Sequence, residues 1–144
     1  MNLEELRNMS KTDLVMDETE LDIESLKTPQ LHNKYLIFYT DEKLILGKMK
    51  SDLYRLKKDK WLYYTGKMSQ EELNEMDWEP FSLNILKTDI DKFTNADNDI
   101  ILLNNKILLQ QEKVDYLESI IKIVNNRQWN IRSAIDWIKF TNGS

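Results

Sequence analysis

The sequence predicts an all-α protein built from two long helices and several short ones. Glycine and proline are scarce, at three and two of 144 residues. The most common residues are leucine, isoleucine, lysine, glutamate, aspartate and asparagine. Apolar residues also recur at steps of three and four through two long stretches, which is helical spacing. The length suits one domain with its own core, so we expect a single domain over residues 1–144.

The first elements are predicted to be short. Residues 1–16 indicate a short helix followed by a loose link. Residues 17–27 place Leu21, Ile23 and Leu26 close to helical spacing. These segments should pack against the longer helices through their few apolar side chains.

The first long helix is predicted over residues 29–65. Thr28 offers a hydroxyl N-cap, and Pro29 fits the first helical position, where a missing N–H costs least. Gly47 marks a candidate bend, and Gly66 can supply the left-handed residue that ends many helices. The apolar positions that support this helix are Leu31, Tyr35, Phe38, Tyr39, Leu46, Met49, Leu53, Leu56 and Tyr63.

A connector is predicted between the long helices. Ser69 and Glu72 match a capping box, which opens a short acidic helix that ends before Pro80. Residues 82–93 are moderately helical, and the Asn/Asp-rich residues 94–99 should break or kink the chain.

The C-terminal third predicts a second long helix and a final one. The second long helix covers roughly residues 99–125, and the adjacent asparagines at 125 and 126 suggest its boundary. A final helix should then run to about Thr141, with Gly143 just beyond its end.

The composition excludes several classes of chemistry. Without cysteine the chain has no disulfide, thiolate zinc site or cysteine nucleophile, which fits a cytosolic setting. No stretch approaches the ~18 apolar residues of a membrane span, so we expect a soluble protein. His32 is the only histidine and lacks a nucleophile signature, and three glycines leave no room for a phosphate-binding loop. We therefore expect no enzyme, no catalytic residue and no cofactor.

Four aspartates raise the question of a metal site. Asp89, Asp91, Asp97 and Asp99 are close in sequence and could attract a divalent cation. Their spacing lacks the glycine and the twelfth-position glutamate of a calcium loop. We expect a solvated helix junction and no metal.

Charge is strongly segregated along the chain. Residues 43–67 hold eight basic and two acidic residues, a local charge of +6. The rest of the chain holds 12 basic and 23 acidic residues, a charge of −11.

Within this basic segment, cations and aromatic rings share one predicted helix face. Lys50, Tyr54, Lys57, Lys58 and Trp61 recur at steps of three and four, about 100° away from the apolar positions. Such a face suits single-stranded nucleic acid, because ammonium groups bind phosphates and unpaired bases stack on rings. The alternative is a solvated helix end whose cations complement the helix dipole.

The predicted C-terminal helix carries more apolar surface than one docking face needs. Ile131, Ile135 and Ile138 form one row, and Trp129, Trp137 and Phe140 form a neighbouring one. Surplus apolar surface often marks a subunit interface.

Two sequence blocks resemble the UvsY family of phage recombination mediator proteins. The first is the run Lys57, Lys58 and Lys60 followed by "YYTGK" at 63–67, and the second is "NRQWNIRSAIDWIKFTNG". "MDETELDIES" and "NKYL" match more weakly. Trp129 stands where another aromatic residue is expected and Asp136 where an amide is expected, and the chain turns acidic after Gly66.

The resemblance implies a function without catalysis. Members of the family are helical proteins that form rings of about six or seven subunits and bind single-stranded DNA. They help to load a RecA-like recombinase onto DNA coated by a single-strand-binding protein, in recombination and repair. The resemblance further implies action in the cytoplasm of the infected host cell.

Combined with the residue patterns, the resemblance divides the predicted domain into two parts. Residues 1–126 would be the DNA-binding body, and residues 127–144 the oligomerisation helix. The expected DNA contacts are Lys50, Tyr54, Arg55, Lys57, Lys58, Lys60, Trp61, Tyr64 and Lys67. The expected oligomerisation residues are Trp129, Ile131, Ile135, Trp137, Ile138 and Phe140.

One alternative function comes from a different class. A helical scaffold or adaptor would also oligomerise, and its basic face would bind an acidic protein. Only the DNA-binding hypothesis predicts affinity for an oligonucleotide.

Overall fold

The structure, a computed structural model, describes residues 1–143 and is all-α, which confirms the predicted fold class of two long helices with short ones. These residues form five α-helices and a short 3-10 turn at Lys87–Asp89, with no β-strand among them. The helices are α1 Leu3–Asp13, α2 Leu21–Tyr64, α3 Gln70–Met76, α4 Ile90–Asn95 and α5 Asn98–Thr141. No helix in this described part is both long and apolar enough to cross a bilayer.

The chain falls into two compact units. The first combines Met1–Ile45 with the described residues from Gln110 onward, and the second is Leu46–Leu109. Both long helices therefore contribute to both units. The expectation of a single domain, with a body over 1–126 and an oligomerisation helix over 127–144, stays a prediction.

The first unit has a core made where α1 and the first half of α2 pack on α5. The buried members of this core cluster are apolar apart from one tyrosine hydroxyl, which Tyr35 donates to Asp13 at 2.8 Å. Burying a leucine-sized side chain contributes roughly 1.5–3 kcal/mol, so this small set stabilises the unit substantially. The core residues are Leu6, Tyr35, Leu117, Ile120 and Val124.

Helix α2 begins at Leu21, so the predicted start at Pro29 was wrong. Proline has no N–H to bind the carbonyl of Ser25, which ordinarily breaks a helix. In this structure the side-chain amide of Gln128 donates to that carbonyl at 3.2 Å. Arg127 likewise donates to the preceding carbonyl, that of Glu24, at 2.8 Å. Pro29 is tolerated because Gln128 on α5 supplies the one hydrogen bond that the proline cannot make.

Helix α5 is continuous to Thr141, so the predicted boundary at Asn125 and Asn126 was also wrong. Both asparagines are exposed, and an asparagine costs a helix only about 0.7 kcal/mol. Buried side chains at steps of three and four continue on either side of them and outweigh that cost. This buried row is Leu117, Ile120, Val124, Arg127 and Ile131.

The second unit confirms two predicted helix ends. Gly66 has φ +70° and ends α2, with the Lys67 N–H bound to the Leu62 carbonyl at 2.9 Å. Ser69 caps α3 by accepting a hydrogen bond from the Glu72 N–H at 3.2 Å. Residues 82–93, predicted to be moderately helical, form the 3-10 turn and the start of α4, after an irregular stretch.

We predict opposite effects of alanine at two glycines. Gly66→Ala should destabilise the protein by about 1 kcal/mol, because a left-handed backbone is unfavourable for any residue with a Cβ. Gly47→Ala should stabilise it by up to about 1 kcal/mol, since alanine is the better helix former. An added Cβ meets no atom within 4 Å at either site, so only backbone conformation differs.

Urea unfolding followed by circular dichroism at equal protein concentration measures both changes. A Gly66→Ala variant as stable as Gly47→Ala would contradict the assigned role of the Gly66 turn.

Candidate nucleic-acid interface

The predicted basic face exists on the outside of α2. Its cations are exposed, and none of them makes an ion pair within residues 1–143. Two aromatic side chains on the same face are also exposed, Tyr54 by 73% and Trp61 by 43%. The basic face is defined as the five predicted residues Lys50, Tyr54, Lys57, Lys58 and Trp61 together with the exposed Arg55.

Lys67 extends this surface past the end of α2. The left-handed Gly66 reverses the chain, and the ammonium of Lys67 then lies 4.4 Å from the centre of the Trp61 ring. A cation over an aromatic face is attracted by the ring's quadrupole. The exposed Lys67 is therefore positioned beside a ring of the basic face.

Lys60 has a different environment from its neighbours. Its side chain is 6% exposed, and its Nζ lies 2.8 Å from Asp99 and 3.1 Å from Asp97. The ammonium also lies 3.9 Å from the centre of the Trp78 ring. Lys60 thus joins the end of α2 to the start of α5 inside the second unit, and its predicted DNA contact remains untested.

Asp97 is the acceptor at the centre of this cluster. Its Oδ1 accepts from the backbone N–H groups of Asp99 and Ile100, at 2.9 and 3.2 Å, which caps α5. Its Oδ2 accepts from the Tyr64 hydroxyl at 2.5 Å. Burial alone would raise the pKa of Asp97, but the hydrogen bonds from Tyr64 and Lys60 outweigh burial and lower that pKa. Asp97 is therefore an ionised carboxylate at neutral pH.

Tyr64, a second predicted DNA contact, is half-buried. Burial is the main cause that raises its pKa, and the hydrogen bond to Asp97 adds to the effect. Its ring packs edge-on against Phe81 at 5.0 Å between centroids. One end of Tyr64 is therefore fixed, and its predicted role in DNA binding remains untested.

An aromatic cluster holds the connector against the end of α2. Neighbouring rings in it have centroids 5.0–5.8 Å apart, in edge-on or tilted arrangements that favour aromatic pairs. The hydroxyl of Tyr63 also donates to the Glu79 carbonyl at 2.6 Å. The cluster consists of Tyr63, Tyr64, Trp78, Phe81 and Phe93.

Three of the four aspartates considered for metal binding pair with lysines. Asp97 and Asp99 bind Lys60, and Asp89 lies 3.6 Å from Lys92. Within residues 1–143, no group of acidic or histidine side chains has an arrangement that could hold a metal ion.

The predicted oligomerisation residues divide into exposed and buried ones. Trp129, Trp137 and Phe140 are 66%, 65% and 75% exposed, and the last two rings stack at 5.8 Å. Ile138 and Ile135 are exposed by 42% and 36%. Ile131 is only 3% exposed, so it packs within its own chain.

Two of these residues, Trp129 and Ile135, line an open groove in the first unit. It has a volume of about 820 Å³ and runs between the start of α2 and the last turns of α5. Leu26, which is 80% exposed, lines one side, and Trp129 and Ile135 line the other.

We predict that Lys60 is essential for stability. Lys60→Met should cost about 3 kcal/mol, because Asp97 would remain buried and charged without its cation. Adding Asp97→Asn to Lys60→Met should restore part of the loss, since the only carboxylate then left without its cation is that of Asp99, which is 52% exposed to water.

Chemical unfolding of the single and double variants measures this coupling. Lys58→Met is the matched control, because Lys58 is exposed on the same helix and its loss should cost less than about 0.5 kcal/mol. Equal losses for Lys60→Met and Lys58→Met would contradict the buried ion pair.

Solved structures share this fold. Crystal structures of the bacteriophage T4 recombination mediator protein UvsY superpose with TM-scores of 0.85 and 0.85 in two lattice forms. The first is 21% identical and aligns over 99% of this chain and 98% of that one. The second is 19% identical and aligns over 97% and 99%. No curated protein sequence matches this chain.

The sequence also matches a family model over residues 9–144. That model describes the recombination, repair and single-stranded DNA-binding protein UvsY. The match covers nearly the whole chain and includes both the basic face and the C-terminal apolar residues. The chain therefore belongs to the UvsY family of recombination, repair and single-stranded DNA-binding proteins.

Proposed function

We propose that this protein is a recombination mediator that binds single-stranded DNA through the basic face of α2. The supporting observation is that four unpaired cations and two exposed rings share one side of that helix. Lys67 adds a fifth cation at its end. The proposal extends the family membership to particular residues of this chain.

The mixture of cations and rings favours single strands over duplex. Cations bind phosphates of either form, but only unpaired bases offer flat faces that can stack on Tyr54 and Trp61. A duplex keeps its bases stacked inside, so these rings would gain little from it. Binding of this kind is sensitive to salt and tolerant of sequence.

Self-association is the second part of the proposal. Trp137 and Phe140 expose large apolar rings near the end of α5. Large exposed apolar patches commonly mark interfaces with other proteins. We propose that the C-terminal turns of one subunit contact another copy and close a ring of about six or seven subunits.

A ring would multiply weak contacts. Each subunit contributes one basic face, and a strand bound to one face meets the next at a high effective concentration. Tight binding then needs no strong single site. On this basis we propose that the ring holds DNA so that a single-strand-binding protein is loosened and a RecA-like recombinase can load. The role is physical rather than enzymatic, and we place it in the cytoplasm of the infected cell.

We predict that removal of two cations from the basic face weakens the salt dependence of DNA binding. Lys57→Ala with Lys58→Ala should lower the slope of log affinity against log salt by about 1.4, at about 0.7 per phosphate contact on single strands. Fluorescence anisotropy with a labelled oligonucleotide across a salt series measures this slope.

The matched control is Lys11→Ala with Lys122→Ala, which removes two exposed lysines from the first unit. If both double variants changed the slope equally, the basic face would not be the binding site. Negligible binding by the unmodified protein at low salt would refute DNA binding and favour the adaptor function with an acidic protein partner.

We predict that Trp137→Ala with Phe140→Ala disrupts the assembly. Light scattering should give the unmodified protein a mass several times 17.3 kDa and the variant a mass shifted toward that value. Leu44→Ala with Leu108→Ala removes two other exposed apolar side chains and should leave the mass unchanged. A monomeric unmodified protein at micromolar concentration would contradict the ring.

A further inference from the structure

A cleft opens beside the end of α2 in the second unit. It has a volume of about 470 Å³ and lies between the last turn of α2, the Gly66 turn and the connector before α4. Binding sites for small molecules commonly have volumes of about 300–1,000 Å³, so the space can admit one planar ring system. Apolar and aromatic walls are provided by Trp61, Tyr64, Leu83, Ile85 and Ile90.

The side of the cleft formed by α2 is held in place before any ligand arrives. Tyr64 is fixed by its hydrogen bond to Asp97 and by its packing against Phe81. Thr65 donates its hydroxyl to the Trp61 carbonyl at 2.7 Å, which tightens the last turn of α2. Prearranged walls reduce the entropy lost on binding.

Charged side chains line the cleft and determine which part of a nucleotide it can accept. The exposed cations Lys67 and Lys87 line the cleft, and either can bind a phosphate group. Asp91 also lines it and would repel a phosphate that entered. A carboxylate can, however, accept a hydrogen bond from an amino group on a base edge. The arrangement favours an uncharged planar base inside and phosphates outside.

The cleft is continuous with the basic face. Trp61 belongs to both, so a strand bound along the cations of α2 would meet the cleft at Trp61. We infer that the cleft holds one unpaired base of the bound strand, while Lys67 and Lys87 bind the adjoining phosphates. This inference rests on the proposed function, since it needs a strand bound along α2.

Cysteine protection tests the inference directly. The chain has no cysteine, so Leu83→Cys places a single thiol in the cleft. Leu86→Cys is the matched control, because Leu86 lies three residues away and does not line the cleft. Its exposure, 71%, is similar to the 61% of Leu83. Each variant is treated with a maleimide, and labelling rates are measured by mass spectrometry without DNA, with a saturating oligonucleotide, and with an equally long strand of abasic sites.

We expect the ordinary oligonucleotide to slow labelling of Leu83→Cys by roughly tenfold. A stacked base that favours the occupied cleft over the empty one by about ten to one would protect the thiol by that factor. Labelling of Leu86→Cys should change little, and the abasic strand should protect neither thiol. Equal protection of Leu83→Cys by the abasic strand would overturn the inference, as would equal protection of both thiols. Unchanged labelling of Leu83→Cys while anisotropy shows salt-sensitive binding would overturn it too, but would leave the proposed function standing. No binding in anisotropy would instead refute the proposed function.

Discussion

The second unit depends on the ion pairs that the buried ammonium of Lys60 makes. It connects α2 to the first turn of α5 through Asp97 and Asp99, and it contacts the ring of Trp78 in the connector. Removal of a cation from such a site would leave a charge without a partner in a region that excludes water, which is far more costly than the loss of a surface pair. Three segments that are distant in sequence are therefore held together by one side chain.

The pairing of this buried cation also bears on why the lysines of the basic face have no acidic partners. Because the acids that begin α5 are occupied by Lys60 and by the Tyr64 hydroxyl, they do not pair with the lysines of the basic face. The chain as a whole is acidic, yet Lys57 and Lys58 have no acidic partner among the described residues. A negative protein can in this way present a positive surface, which is the surface proposed to bind single strands.

Much of the fold could be predicted from the sequence, since helical spacing, the Gly66 turn and the Ser69 cap are all local signals. The exposed part of the candidate site could be predicted for the same reason. Lys60 is predicted as a DNA contact together with the surface lysines. It nevertheless follows Leu53 and Leu56 by seven and four residues, which puts it on the same side of the helix as these leucines. Its partners, which lie up to 39 residues away, have no local signature. Ile131 likewise belongs to the row of buried residues that continues from Val124, and that row could be recognised only once α5 was known to be continuous.

Pro29 has a consequence for the way α2 and α5 are aligned. Apolar rows on two long helices can slide past each other by a turn at little cost, because one leucine replaces another. The carbonyl of Ser25, left without its helical donor, is matched only where Gln128 lies opposite, and the guanidinium of Arg127 fits the adjacent carbonyl and the carboxylate of Glu24. A displaced pairing would strand these groups without partners. Proline is usually regarded as a helix breaker, but here it helps to set the axial register of α2 on α5.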